Sequence, residues 1–335
     1  MNRRFTISAT ISMALSLFGS ATTDVKWSYD LMTDQADEFC RNLPAGLAAS
    51  QAKAVNAAAD GNISDLLAVR ASRNAPFTPG EGVRMTAVTE TLRLYEPADM
   101  SVEPLPLLVY LHGGGWAMGS LNSCARYCDA VAATGRAKVL AVDYRLAPEH
   151  RYPVGLSDCV AAVRYAVEHA AELGVDPAAI SVGGDSSGGN LAIATALSAE
   201  CDGLISSLVL FYPVTKAFAD GSDSWRLYGD GYGLDSDLMN AFNRAYIGNV
   251  PATDRGVNVG LLPDTALSDM PRTLLVAAGR DILCDQGREF AAMMPADRIT
   301  RIEFPGSVHL FITVPGQDEA FNAAVRLTAE FVTRR

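Results

Sequence analysis

Gly184-Asp185-Ser186-Ser187-Gly188 stands near the middle of the chain, directly after the apolar run Ala179-Ile180-Ser181-Val182-Gly183. A serine between two glycines, at a strand-to-helix turn, is the pattern of a nucleophile elbow. The turn strains the serine backbone, and glycines two residues to either side keep neighbouring backbone from clashing. The hydroxyl is thereby raised above the sheet, where a base can reach it. A serine hydroxyl is a poor nucleophile at neutral pH until a base takes its proton, and imidazole is the usual base. The chain has 4 histidines, His112, His150, His169 and His309. His169 falls within a helical stretch and His150 in the loop Ala147-Pro148-Glu149-His150, while His112 opens a glycine run. His309 remains, in Gly306-Ser307-Val308-His309-Leu310, immediately after a strand-like run. A loop after a late strand is where a parallel sheet would place a base.

The base needs an acid to fix its tautomer and stabilise the imidazolium. Asp281 follows the apolar run Thr273 to Ala278, and Asp285 is its competitor four residues on. Asp281 is nearer the strand end and better anchored, so it is preferred. The order Ser186, Asp281, His309 is that of α/β-hydrolases and differs from two other familiar orders of serine hydrolases. Acyl transfer also needs donors for the oxyanion. His112-Gly113-Gly114-Gly115-Trp116 follows the strand-like run Leu105 to Leu111. Consecutive glycines let backbone N–H groups converge on one point. A phosphate loop would want a lysine and a following Ser or Thr, which Trp116-Ala117-Met118 does not supply.

These residues need a scaffold that brings distant segments together. Residues 25 to 80 read as helices and loops, with a breaker cluster from Asn74 to Gly82. Beyond it, strand patterns (Thr86–Tyr95, Leu105–Leu111, Ala137–Val142, Ile180–Gly183, Leu204–Tyr212, Thr273–Ala278, Ile299–Phe304) alternate with helical ones (Cys124–Thr134, Val154–Leu173, Asn190–Ala199, Glu319–Arg334). That rhythm predicts an α/β fold, a mostly parallel sheet covered by helices on both faces. Residues 213 to 265 break the rhythm with polar, Gly- and Asp-rich sequence and a helix near Ser236 to Tyr246, as expected of an insert over the strand ends.

Composition narrows the remaining classes. A chain of 335 residues, 49% hydrophobic and 19% charged, suits one large domain or a domain with an appended cap. A net charge of −11 argues against nucleic acid and anionic membranes as partners. No apolar run reaches bilayer-spanning length. The 6 cysteines are scattered without zinc-like spacing and read as buried free thiols, with disulfides left open if the protein is exported. Residues 1–21 fit a secretory signal, yet Ser8, Ser12 and Ser16 form a polar stripe that equally fits an amphipathic helix. A retained helix, and with it a cytoplasmic protein, is slightly preferred; export follows if the segment is a signal.

From about residue 83 onward the chain resembles the bacterial hormone-sensitive-lipase family of α/β-hydrolases. His112-Gly113-Gly114-Gly115-Trp116 is similar to that family's oxyanion motif, and Gly184-Asp185-Ser186-Ser187-Gly188-Gly189 to its elbow, with Ser187 in place of the usual alanine. Asp143 to His150 resembles a further family segment, a structural stretch behind the site. The resemblance implies Ser186 as nucleophile, His309 as base and Asp281 as its acid. It also implies an oxyanion hole from Gly114, Gly115 and the Ser187 N–H. A glycine often following the histidine is absent, with Leu310 in its place. The implied organisation is a helical segment at 1–82 contributing to a cap, and a catalytic domain at 83–335 with the cap insert near 213–265. The implied activity is hydrolysis of short-chain acyl esters, with no cofactor or metal. An amidase, or a deacetylase of acetylated sugars, would use the same three residues, and a non-catalytic ligand-binding homologue is the alternative from another class. Trp116, Met118, Tyr228 and Tyr232 are candidates for the substrate pocket, with simple packing as the competing reading. The partner is a small acyl ester, and a homodimer is left open.

Overall fold

The central strand-like runs pair into one sheet because they are apolar on both faces, while the two edge strands stay partly exposed. The computed structural model describes residues 27–99, 103–251 and 253–334. Its strands are β1 (Val83–Ala87), β2 (Leu92–Pro97), β3 (Leu105–Leu111), β4 (Lys138–Val142), β5 (Val175–Asp185), β6 (Ser207–Phe211), β7 (Arg272–Arg280) and β8 (Ile299–Val308). They lie in the order β1-β2-β4-β3-β5-β6-β7-β8. Among these strands β2 alone runs against the rest, pairing antiparallel with β1 and with β4, and the pairings from β4 across to β8 are parallel. The helices are α1 (Tyr29–Asn42), α2 (Leu47–Ala59), α3 (Ser64–Arg73), α4 (Ala125–Ala133), α5 (Val154–Glu168), α6 (Ala170–Leu173), α7 (Ser187–Ala196), α8 (Asp223–Leu227), α9 (Ser236–Ile247), α10 (Cys284–Met293) and α11 (Asp318–Val332). This is the α/β-hydrolase fold.

Side chains alternate across a strand, and here both sides are core. Leu107, Val109 and Leu111 face a cluster built with α5, α7 and α10, while Leu108 and Tyr110 face one built with α4 and α11. Every one of these β3 side chains is buried, with no measurable exposure. Outside this sandwich, α2 lies along α9. Arg244 of α9 joins them through an ion pair to Asp60 and a hydrogen bond to the carbonyl of Asn56. The helix α9 is amphipathic, burying Leu238, Phe242, Ala245 and Tyr246.

Several elements differ from the sequence expectation. Thr86 to Tyr95 is two strands, because residues 88–91 turn without any glycine or proline to mark it. The helix expected over Val154 to Leu173 breaks at His169, and β8 continues through Pro305 to Val308. Leu204–Tyr212 shortens to β6, and α10 was not anticipated at all. All 6 cysteines are free thiols, Cys40 partly exposed and the others buried. Residues 1–21, where signal peptide and retained helix compete, lie outside the described residues. Among the described residues no helix is long and apolar enough to cross a membrane.

The fold converges on the start of α7, which passes directly over the end of β3. A Cβ at Gly188 would stand 2.0 Å from the Leu111 carbonyl oxygen and 2.7 Å from that of His112. Both obstacles are backbone, so neither can swing aside. Gly188→Ala is therefore expected to destabilise the protein by about 2 kcal/mol or more, as overpacking does. Urea denaturation would measure it, and an unchanged midpoint would contradict the close approach.

Candidate active site

Ser186, Asp281 and His309 are each the first residue after a strand, β5, β7 and β8 respectively. Parallel strands in one sheet end on the same side, so three distant segments deliver their side chains to one edge. Ser186 has φ 55° and ψ −118°, a conformation that L-residues disfavour. Its N–H donates to Phe211 O at 2.9 Å, and its carbonyl accepts from Val214 N at 3.0 Å and Asn190 N at 3.2 Å. These bonds hold the strained turn on both sides.

The three side chains form an unbroken hydrogen-bonded line. His309 Nε2 lies 3.1 Å from Ser186 Oγ, and His309 Nδ1 lies 2.7 Å from Asp281 Oδ2. The other oxygen of Asp281 accepts from Leu283 N at 3.1 Å. His309 and Asp281 are each only 1% exposed, so water does not compete for these bonds. Asp285, the rival acid, is committed elsewhere, to Ser224 N at 2.7 Å and Arg288 at 2.6 Å. The remaining histidines are also occupied or apart. His169 stacks on Tyr165, His150 is exposed, and His112 stacks on Tyr144 at 4.3 Å.

The glycine run is braced from beneath. Asp185 Oδ1 accepts from Gly113 N at 3.0 Å and from the Tyr110 hydroxyl at 2.9 Å. Burial pushes the Asp185 carboxyl above its ordinary range, while those two donors favour its charged form. Burial likewise lowers the pKa of His112, which favours a neutral imidazole whose Nδ1, 2.9 Å from Gly113 O, can donate to it. The segment after Asp143 supports the same loop, with the Tyr144 hydroxyl donating to His112 O at 2.7 Å and Ala147 N to Trp116 O at 2.9 Å. Gly115 has φ 60°, and a Cβ there would meet the Phe242 ring at 2.1 Å. The N–H groups of Gly114, Gly115 and Ser187 donate to no protein acceptor among the described residues. Ser187 opens α7, whose first N–H groups have no partner within the helix.

A cavity of about 480 Å³, counted to its open mouth, contains Ser186, His309, Gly114 and Gly115 in its wall. Of the four pocket candidates only Met118 reaches that wall. Trp116 is 1% exposed and lies flat on Tyr246 at 4.4 Å, so it packs beneath α9 instead. Tyr228 and Tyr232 meet edge to face at 5.0 Å and stay outside the wall. The rest of the wall includes Leu234, Leu238 and Phe242 from α9 and the residues before it, and Gln51 and Arg73 from α2 and α3. Among the described residues no cluster of His, Cys, Asp or Glu could hold a metal ion.

Sequence reasoning missed the residue that holds the histidine loop. Gln317 accepts from Val308 N at 3.0 Å and donates to His309 O at 3.0 Å and Val308 O at 3.3 Å. Its side chain does for this loop what a neighbouring strand would do, and no local motif marks it. Gln317→Leu leaves these buried groups unpaired and is expected to cost about 1–3 kcal/mol of stability. A thermal melt within a degree of the wild type would refute that role.

Residues 108–313 match the family described as the alpha/beta hydrolase fold. The carboxylesterase NlhH of Mycobacterium tuberculosis is 38% identical over 241 residues, covering 68% of this chain and 74% of that protein. An ethyl acetate hydrolase of Pseudomonas putida is 37% identical over 207 residues, covering 61% of this chain and 64% of that protein. Among solved structures, a thermostable esterase from Pseudomonas putida ECU1011 superposes with a TM-score of 0.78 at 24% identity, over 94% of this chain and 98% of that one, a likeness of fold. With the elbow, the glycine loop and the late histidine all on the strand ends, the chain belongs to the hormone-sensitive-lipase family of α/β-hydrolases.

Proposed function

We propose that this protein is a serine carboxylesterase that hydrolyses small acyl esters through an acyl-enzyme. The unbroken line from Ser186 Oγ through His309 to Asp281 carries the reading. Ser186 Oγ attacks the ester carbonyl while His309 Nε2 takes its proton. Asp281 holds the Nδ1 proton and stabilises the imidazolium. The carbonyl oxygen becomes an oxyanion that accepts from the N–H groups of Gly114, Gly115 and Ser187. The C–O bond then breaks, and His309 returns the proton to the departing alkoxide. Water repeats the attack on the acyl carbon, and the carboxylic acid leaves as Ser186 regains its proton.

Ester chemistry is favoured over amide or sugar-acetyl chemistry because the relatives reported above are a carboxylesterase and an ethyl acetate hydrolase by name. Acyl size is limited by the wall. We infer that the described helices before residue 83 and the insert at 213–265 form a cap over the hydrolase unit at 83–335. Gln51, Arg73, Leu234, Leu238 and Phe242 all close the cavity from that side, which supports the division.

Ser186→Ala is expected to abolish turnover of p-nitrophenyl butyrate. Asp281→Asn should lower kcat by a factor of about 10⁴, the loss seen when such an acid can no longer fix the tautomer. Activity should fall steadily from butyryl to palmitoyl esters. Stopped or continuous release of p-nitrophenol reads all three, and full activity in Ser186→Ala would end the assignment.

A further inference from the structure

Two arginines of α3, three residues apart, have opposite fates. Arg70 is engaged through all three nitrogens, donating to Ala117 O at 2.7 Å, to Ala147 O at 2.8 Å and to both oxygens of Glu149 at 2.6 and 2.9 Å. It is a strut between the N-terminal helices and the loops beneath the site. Arg73, the last residue of α3, stands in the wall of the cavity that holds Ser186 and His309. Its Nε is shut off from solvent and has no hydrogen-bond partner among the described residues. No ion pair with a described carboxylate engages it either.

A guanidinium stays protonated even when desolvated, so this is a positive charge held inside the pocket without a counter-ion in contact. Burial lowers its pKa, and the charge of Asp185 opposes that only in part. Among the described residues Asp185 is the sole carboxylate in the wall, and its Oδ1 is already committed to Tyr110 and Gly113. Gln51, 9% exposed, adds a neutral amide to the same wall. Leaving a partly buried cation unpaired is costly, whereas a carboxylate entering the pocket would meet the guanidinium fork with two parallel hydrogen bonds.

We propose that Arg73 is a specificity residue that binds a free carboxylate on the substrate, so that the preferred substrates are small molecules both ester and acid. The proposal rests on the ester-hydrolase reading above. The carboxylate can sit on the acyl side, as in monoethyl succinate, or on the alcohol side, as in O-acetyl-lactate. Each acid is compared with its uncharged isostere, ethyl succinamate or O-acetyl-lactamide, and the pair with the higher ratio of kcat/KM tells which side faces Arg73.

In the wild type at least one acid-to-amide ratio is expected to exceed about 10, and Arg73→Gln should lower that ratio by about 10- to 100-fold. Arg73→Lys, which keeps a charge but not the fork, should give an intermediate ratio. Ratios at or below one in the wild type overturn the proposal, as does a ratio unmoved by Arg73→Gln. A wild type that hydrolyses the amide isosteres without preferring the acids defeats this inference alone. A wild type that hydrolyses none of the four, nor p-nitrophenyl butyrate, defeats the esterase reading beneath it. Should Arg73→Gln fail to fold, calorimetric titration of Ser186→Ala decides: tighter binding of monoethyl succinate than of ethyl succinamate upholds the contact, and equal binding overturns it.

Discussion

The strained turn at Ser186 is the constraint on which the site depends. A serine at positive φ costs roughly 1–3 kcal/mol, and such a residue persists only where its surroundings over-determine it. Here the surroundings are strand ends. Ser186 N is taken by the end of β6 at Phe211 O, and Ser186 O by Val214 just beyond. The start of α7 is pressed so closely on β3 that only glycine fits at position 188. The sheet register therefore fixes the hydroxyl, and the hydroxyl fixes where a base is useful. In the proposed mechanism His309 and Asp281 meet that demand because β7 and β8 are paired neighbours, bringing residues 28 positions apart in the chain to 2.7 Å.

Around that line the braces are buried and polar, and each serves a loop rather than a strand. Asp185 steadies the glycine run, Tyr144 steadies His112, and Gln317 steadies the histidine loop. Buried polar groups of this kind are costly when half satisfied and rigidifying when complete. Their placement beneath the cavity leaves the N–H groups of Gly114, Gly115 and Ser187 as the unpaired donors. In the proposed mechanism, where negative charge gathers only during reaction, unpaired donors held by paired neighbours are the useful arrangement.

The parts of this architecture that the sequence made legible are those set by short-range patterns. Strands buried on both faces read as apolar runs, and β3, β4 and β7 were found near their true bounds. The elbow, the glycine run and the residues after β7 and β8 were visible because turn chemistry is local. The hairpin of β1 and β2 was not, since Val88-Thr89-Glu90-Thr91 turns with β-forming residues and no breaker. Nor was α10, where Gly287 interrupts a short mixed stretch. The pocket wall was read poorly for a different reason. Trp116, Tyr228 and Tyr232 lie close to motifs in sequence, but their rings are consumed by packing with other rings. Gln51 and Arg73 reach the cavity from helices that precede every motif, and only tertiary structure connects them.

Backbone strain maps the same edge independently of any motif. Among the described residues, the non-glycine positions with positive φ are Trp116, Ser186, Tyr212 and Leu310. Ser186, Tyr212 and Leu310 lie just past the carboxyl ends of β5, β6 and β8, and Trp116 lies in the glycine loop that follows β3. Tyr212 turns its ring against His309 at 4.3 Å, and its hydroxyl accepts from Ile312 N at 3.1 Å, tying one strained residue to the loop of another. Leu310, at φ 72°, takes a left-handed conformation that glycine would adopt freely, so the turn after His309 carries strain. Four unfavourable conformations at one edge of the sheet are not expected of a surface that only packs. They are what remains when strand ends are bent to aim side chains at a common point, and the rest of the core is stable enough to hold them there.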